Sequence, residues 1–216
     1  MRTKTDFINF MIEAGVLTFG DFTTKSGRKT PYFVNTGNYK TGKHISTLGD
    51  YYADLVADSI NNSGEKYDAL YGPAYKGITL VAATAGSLYR NHGIDIPFFF
   101  NRKEIKDHGE GGALIGYVPK DGDRIAVIED VVTAGTAIGE TINLFKTVAD
   151  IKIISLFISV DRMERGLGSC TALDELRNEY NINICAIVNA RDIISSLKES
   201  DEQVFKMEAY LKQYGV

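Results

Sequence analysis

The sequence predicts one α/β domain built on a mainly parallel central sheet flanked by helices. Three observations predict it. Apolar, β-prone runs at 68–71, 96–100, 124–129, 153–160 and 183–188 alternate with helical stretches, notably 77–91, 136–149 and 171–180. Strands joined by crossover helices read this way, and the sheet they form is parallel and covered on both faces. The runs themselves are almost continuously apolar, as Ile125–Ile128 shows, which is the mark of strands with no solvent face. Finally, 216 residues at 44% hydrophobic content suffice for one sizeable core.

At the N-terminus, Phe7, Phe10, Met11 and Ala14 recur at helical spacing, with Thr5 as the expected N-cap and Gly15 at the expected C-terminal stop. The segment "VLTFGDFTTKSGRKTPYFVNT" strings short β-prone pieces around a Ser-Gly turn, the pattern of an irregular hairpin. Ile45, Leu48, Tyr52, Leu55 and Val56 then mark one face of a helix closed by "NNSG". From "DALYG" onward the strand, loop, helix rhythm is regular, with no internal repeat, low-complexity tract or interdomain linker.

Charge and cysteine content exclude several classes of function. With 24 Lys and Arg against 28 Asp and Glu, the net charge is −4, which argues against a general nucleic-acid or membrane surface. An anionic ligand would need a local cluster of cations. Cys170 and Cys185 are too few for a disulfide framework and lack metal-type spacing, so both are expected to be reduced. Asp6, Asn9 and Glu13 interrupt the first apolar segment, and no run reaches membrane-spanning length. The expected location is cytoplasmic.

In parallel sheets, ligands bind beyond the carboxyl ends of strands. The strongest segment of that kind is "RIAVIEDVVTAGTAIGET". Its strand delivers Glu129 and Asp130, and the small-residue turn Thr133-Ala134-Gly135-Thr136 opens a helix. Backbone N–H groups, hydroxyls and the helix dipole together make such a turn a phosphate cradle. Two acids beside a phosphate make sense if the ligand also carries a diol, so the segment asks for a sugar phosphate. The plain alternative is a strand-to-helix turn whose acids cap the helix.

Two further stretches stand out. "GNYKTGKH", Gly37 to His44, nearly matches a P-loop and lies between a strand-like "YFV" and a helix. His44 occupies the position where a magnesium-ligating hydroxyl belongs, which speaks against that reading. "PFFFNRKEIKDHGEGG" passes from a buried strand into a loop holding Arg102, Lys103, Lys106 and His108 together with Gly109, Gly111 and Gly112. Alone, it reads as a solvated charged loop.

Taken together, "FTTKSGRKTPYFVN", "YGPAYKG", "NRKEIKDHGEGG", "VIEDVVTAGTA" and "DRMERG" resemble the orotate phosphoribosyltransferases, within the type I phosphoribosyltransferase family. The resemblance runs from residue 5 to the C-terminus. It implies the type I fold as a single domain over 1–216, with a small N-terminal hood formed mainly by 1–40 and a catalytic lid at 101–112. The implied reaction moves ribose 5-phosphate from phosphoribosyl pyrophosphate (PRPP) to a ring nitrogen of orotate, giving orotidine 5′-monophosphate and pyrophosphate for pyrimidine biosynthesis. Magnesium is implied as an ion carried mainly by PRPP, with no direct protein ligand.

The resemblance also implies roles, residue by residue. Glu129 and Asp130 would hold the ribose hydroxyls, and Thr133, Ala134, Gly135, Thr136 and Ala137 the 5′-phosphate, with Val131 and Val132 in the same PRPP-binding run. Tyr75 and Lys76 would contact the pyrophosphate, and Lys25 would reach the reacting groups from the hood. Phe33 and Val34 would lie against orotate, with Lys25 and Thr133 nearby, and Arg162 would pair with its carboxylate. Val34 departs from the aromatic residue often found in the family, and Glu129 from its usual aspartate. Arg102, Lys103, Lys106 and His108, acting with Asp130, would be the catalytic set, with Lys103 foremost on the departing pyrophosphate. The lid of one subunit would serve its partner in a homodimer. The competing readings are a non-catalytic PRPP-binding regulator and a phosphoribosyltransferase for another base.

Overall fold

The computed structural model describes residues 2–24, 27–103, 113–131, 136–166, 168, 170–198 and 202–216; within helix 136–146 the side chains of Thr136 and Ala137 are not described. Helix α1 (Lys4–Glu13) is followed by an antiparallel hairpin of β1 (Leu17–Thr23) and β2 (Lys29–Val34). Then come α2 (Gly42–Ser63), β3 (Ala69–Gly72), α3 (Lys76–His92), β4 (Phe98–Asn101) and β5 (Leu114–Gly116). The chain continues through β6 (Arg124–Ile128), α4 (Thr136–Lys146), β7 (Lys152–Asp161), α5 (Ala172–Tyr180) and β8 (Asn183–Asn189), and ends with α6 (Ala190–Ser196) and α7 (Glu202–Tyr214).

Six strands form the central sheet in the order β5-β4-β3-β6-β7-β8, parallel except for β5. The chain passes from β3 to β4 on one side and places β6 on the other. The carboxyl ends of β3 and β6 therefore flank a topological switch point, where ligands bind in open α/β sheets.

Strand alternation divides the core into two layers. Leu70, Ala126, Ile128, Phe157 and Val188 face a layer built with Phe7, Met11, Tyr52, Val56, Val81 and Leu88 of α1, α2 and α3. Ala69, Tyr71, Ile125, Val127, Leu156 and Ile158 face the other, against Ile138 and Phe145 of α4 and Leu173 and Leu176 of α5. Full burial of each such side chain stabilises the fold by about 1.5–3 kcal/mol. Helices α2 and α3 approach closely because Gly49 has no side chain: a Cβ there would lie 2.8 Å from backbone atoms of Ala83.

The local boundaries refine the sequence expectations. Thr3, rather than Thr5, caps α1, because Asp6 stands three residues beyond Thr3 and completes a reciprocal capping box. Gly15 sits one residue past the Ala14 cap, with a positive φ of 65°. Helix α4 ends at Lys146 rather than 149. The hairpin turn is closed by the Gly27 amide donating to Thr24 and the Thr24 amide to Arg28, at 2.9 Å each. The P-loop reading fails on topology. Its strand, β2, belongs to the separate two-stranded sheet, and the His44 ring accepts from the Lys40 amide at 3.2 Å. No helix among the described residues is long and apolar enough to cross a membrane.

Candidate active site

The segments that follow β3 and β6 meet at the switch point, joined by the Lys76–Asp130 pair. After β3 the chain runs through Pro73, Ala74 and Tyr75 into α3, with the Gly77 amide donating to the Pro73 carbonyl at 2.9 Å and a cis peptide bond between Ala74 and Tyr75. Gly72 and Gly77 lie so close that a Cβ on Gly72 would collide with the Gly77 carbonyl. Tyr75 projects outward, 70% exposed. Helix α3 begins at Lys76 with no side-chain cap from Tyr75.

After β6 come the two acids. The backbone of Glu129 is held by Tyr52, whose hydroxyl donates to its carbonyl at 2.7 Å. That of Asp130 is held by Ser159 of β7, whose hydroxyl and amide both donate to its carbonyl, at 2.7 and 3.0 Å. Asp130 Oδ1 accepts from the Val131 amide at 2.7 Å, and Oδ2 accepts from Thr36 Oγ1 at 2.5 Å and from Lys76 Nζ at 2.8 Å. Thr36 Oγ1 in turn accepts from Lys76 Nζ at 3.0 Å. A cleft of about 140 Å³ opens beside this network, lined in part by Thr36, Tyr39, Tyr52, Thr79 and Ser159. A larger, mostly apolar cleft of about 520 Å³, with Phe145, Ile151 and Ile182 in its walls, lies away from Asp130, at the amino ends of β7 and β8.

The two carboxyls are driven apart electrostatically. Burial pushes Glu129 up to about 8, helped by the neighbouring Asp130 charge and only partly offset by the Asp130 amide. Burial also acts on Asp130, but hydrogen bonds from Lys76, Thr36 and the Val131 amide outweigh it and hold that carboxyl below its ordinary value. Asp130 is therefore the ionised acceptor, and Glu129 is the acid that keeps its proton longer.

The β1–β2 hairpin carries two of the residues expected to meet orotate. Phe33 on β2 is 39% exposed, with its ring 5.5 Å from that of Phe22, while Val34 packs partly into the main core. Just past β7, Arg162 spans the gap to β2: its guanidinium lies 4.4 Å over the Tyr32 ring and donates to Thr30 Oγ1 at 3.3 Å. Arg162 also pairs with Glu164 at 2.7 Å, and Glu164 accepts from Tyr210 of α7 at 2.8 Å. Arg162 is thus engaged in an ion pair within the chain while standing beside the strand that carries Phe33.

On the other flank, Arg102 and the exposed Lys103 leave β4, with the Arg102 amide donating to Ala113 at 2.8 Å. Arg102 Nε is buried without a hydrogen-bond partner among the described residues. Lys25, Lys106, His108, Val132, Thr133, Ala134 and Gly135 lie outside the described residues, as do the side chains of Thr136 and Ala137. Helix α4 starts at Thr136, as expected of a helix opening directly after the cradle.

The structure therefore joins Lys76, Glu129 and Asp130 in one network, sets Arg162 against Thr30 and Tyr32 of the strand that carries Phe33, and roots Arg102 and Lys103 at the end of β4. To the site it adds Thr36, Tyr52, Ser159 and Tyr210, to which the sequence reading gives no part there.

The phosphoribosyl transferase domain family model matches residues 43–188, which hold both turns and Arg162. An orotate phosphoribosyltransferase from Clostridium beijerinckii is 50% identical over 221 residues, covering 98% of this chain and 97% of that protein. The chain belongs to the orotate phosphoribosyltransferase family. A second orotate phosphoribosyltransferase, from Lachnoclostridium phytofermentans, is 47% identical over 99% of this chain and 97% of its own length. The crystal structure of the orotate phosphoribosyltransferase from Francisella tularensis superposes with a TM-score of 0.86 at 38% identity, covering 100% of this chain and 98% of that one. Membership in the orotate phosphoribosyltransferase family establishes the type I fold and makes the chain a pentosyltransferase. The readings as a regulator or as an enzyme for another base fall away.

Proposed function

We propose that the chain transfers ribose 5-phosphate from PRPP to orotate at the switch point between β3 and β6. The observation that carries this reading is the Lys76–Asp130–Thr36 network. It sets an ammonium and an ionised carboxylate side by side where one ligand presents both a pyrophosphate and a ribose diol.

In the reaction the bond from C1 of the ribose to pyrophosphate breaks and a bond from C1 to the base nitrogen forms, through an oxocarbenium-like transition state. Little covalent chemistry falls to the protein; positioning and stabilisation of the leaving charge carry the rate. Asp130 accepts from the ribose hydroxyls, with Glu129 beside it. Lys76, the amides of Tyr75 and Lys76 and the exposed Tyr75 side chain face the pyrophosphate. Arg102 and Lys103, with Lys106 and His108, bring further cations to it, and Lys103 bears most of the leaving charge. The run from Val131 to Ala137 holds the 5′-phosphate at the start of α4. Orotate lies against Phe33 and Val34, its carboxylate on Arg162, with Lys25 and Thr133 close to the reacting atoms.

Magnesium belongs to the same proposal as an ion that arrives with PRPP and neutralises its pyrophosphate. Among the described residues no group of three or more His, Cys, Asp or Glu is placed to hold a metal. The one ionised carboxylate at the switch point, Asp130, suits an ion that takes few protein oxygens and keeps its shell filled by phosphates and water. We also assign the chain to the cytoplasm, in keeping with its free Cys170 and Cys185, and to a homodimer whose loops, matching "NRKEIKDHGEGG", cross between subunits.

The test is direct. The protein is incubated with magnesium, orotate and PRPP, and the loss of orotate ultraviolet absorbance is followed. Turnover of orotate is expected; turnover of a purine base in its place would sink the assignment.

A further inference from the structure

Asn101 is the last residue of β4, one position before the cations Arg102 and Lys103, and no role attaches to it so far. Its carboxamide oxygen accepts two hydrogen bonds: from the Ala74 amide at 2.7 Å and from the Tyr71 hydroxyl at 2.9 Å. Both donors fix the amide orientation, because a flipped side chain would set its NH2 group against an N–H and an O–H. The nitrogen then faces the Arg102 carbonyl, 3.5 Å away.

These contacts join two segments far apart in sequence. Ala74 lies at the middle of the 72–76 turn, while Asn101 lies at the root of the cationic loop, where β4 pairs with β5 through Asn101 and Leu114. Tyr71 is buried in the core with its ring 4.8 Å from Phe145, so the oxygen that holds the turn is itself anchored to a fixed post. The turn has few other means of fixing its shape. Gly72 and Gly77 offer no side chains, Tyr75 points outward, and α3 starts without a cap from it. Thr79 Oγ1, donating to the Lys76 carbonyl at 3.0 Å, and the Lys76–Asp130 pair anchor the α3 end of the turn, while at its middle the Ala74 amide takes its position from the Asn101 carboxamide.

We propose that Asn101 is a positioning residue for the pyrophosphate half of the substrate. It holds the Ala74 amide, and through it the start of α3, in register with the strand that delivers Arg102 and Lys103. The inference rests on the reading that the 72–76 turn faces pyrophosphate. Loss of the acceptor leaves the Ala74 amide unpaired and the turn free to shift, and misplacement by about 1 Å costs on the order of 10²-fold in rate.

The experiment compares the intact enzyme with Asn101→Leu, which removes the acceptor at similar volume, and Asn101→Ser, whose hydroxyl is too short to reach Ala74. Both are measured for KM of PRPP, KM of orotate, and the dissociation constant of magnesium pyrophosphate by calorimetry. The expected result is a rise of about tenfold or more in the PRPP and pyrophosphate constants, with the orotate KM within about twofold. Should Asn101→Leu fail to fold, Asn101→Ser carries the same test. Unchanged pyrophosphate affinity in a folded variant would overturn the proposal, as would an equal rise in both KM values, the sign of general structural damage. If instead the unsubstituted enzyme bound no magnesium pyrophosphate, the failure would lie with the reading of the turn.

Discussion

Lys76 Nζ and Asp130 Oδ2 are bonded at 2.8 Å, joining the start of α3 to the end of β6 across the switch point. In the proposed complex these groups serve opposite ends of the sugar, one at the pyrophosphate and one at the ribose hydroxyls. The lysine is 61% exposed and the aspartate 15%, so the pair is a surface contact on one side only. Exposed pairs contribute about 0–1 kcal/mol. Lys76→Met should therefore cost less than about 1 kcal/mol in chemical denaturation. The same change should raise the KM for PRPP about tenfold or more, because a charge-assisted contact to phosphate is lost. A stability loss without a change in KM would remove Lys76 from the site.

Glu129 gives a pH signature. In the fold its carboxyl keeps its proton up to about 8, whereas its ordinary value is 4.5. Between those values the native state binds a proton that the unfolded chain has released, so this group makes stability fall as pH rises through the window. Asp130 is shifted the other way, and its contribution is lost only below its ordinary 3.8. Glu129→Gln should remove the upper dependence. Its melting temperature relative to the parent protein should climb between pH 6 and pH 9, measured by calorimetry. Parallel curves would mean that Glu129 titrates like an exposed acid.

Arg162 is held by Thr30, Tyr32 and Glu164, and two substitutions test its part in binding orotate. Arg162→Lys loses the planar fork and should raise the orotate KM about ten- to a hundredfold, with the PRPP KM little changed. Tyr210→Phe leaves Glu164 with one donor fewer and should shift the same constant in the same direction by less. Steady-state kinetics with each substrate varied in turn provides the check. An effect confined to PRPP would place Arg162 elsewhere in the mechanism.

Lys103 is exposed at the root of its loop and makes no hydrogen bond or ion pair among the described residues. Lys103→Ala should lower kcat by about 10²-fold or more and leave the melting temperature unaltered. Mixing that variant with Asp130→Asn should restore part of the activity if loops serve the partner subunit. With subunit exchange verified, no recovery on mixing would put the whole site within one chain.

The parallel sheet was legible in the sequence because its strands are apolar along their whole length, so the runs at 124–129 and 153–160 lie within two residues of β6 and β7. Three-residue β5 was not, being too short for any periodicity to register. The two threonines near the N-terminus look equivalent until Asp6 is seen to complete a box with Thr3 alone. Glu129, Asp130 and Lys76 could be found because they end or follow recognisable strands. Thr36, Tyr52 and Ser159 could not: they reach the acids from 94, 77 and 29 residues away, a relation only the folded chain creates. Asn101 lay inside a quoted motif, but nothing in its own segment points to Ala74.

The antiparallel β4–β5 pair closes the sheet on one side, and the chain from Lys103 to Ala113 departs from and returns to it. Antiparallel neighbours need only a turn between them, whereas the parallel neighbours β3 and β4, β6 and β7, and β7 and β8 are each joined through a helix that carries the chain back. Between β4 and β5 the connection can change length without disturbing a crossover helix, and each doubling costs only about 0.6 kcal/mol of closure entropy. Evolution thus has one cheap place to experiment. A descendant could trade its cationic residues for a short turn and remain a folded sugar-phosphate binder, and a binder could gain catalysis by the reverse exchange.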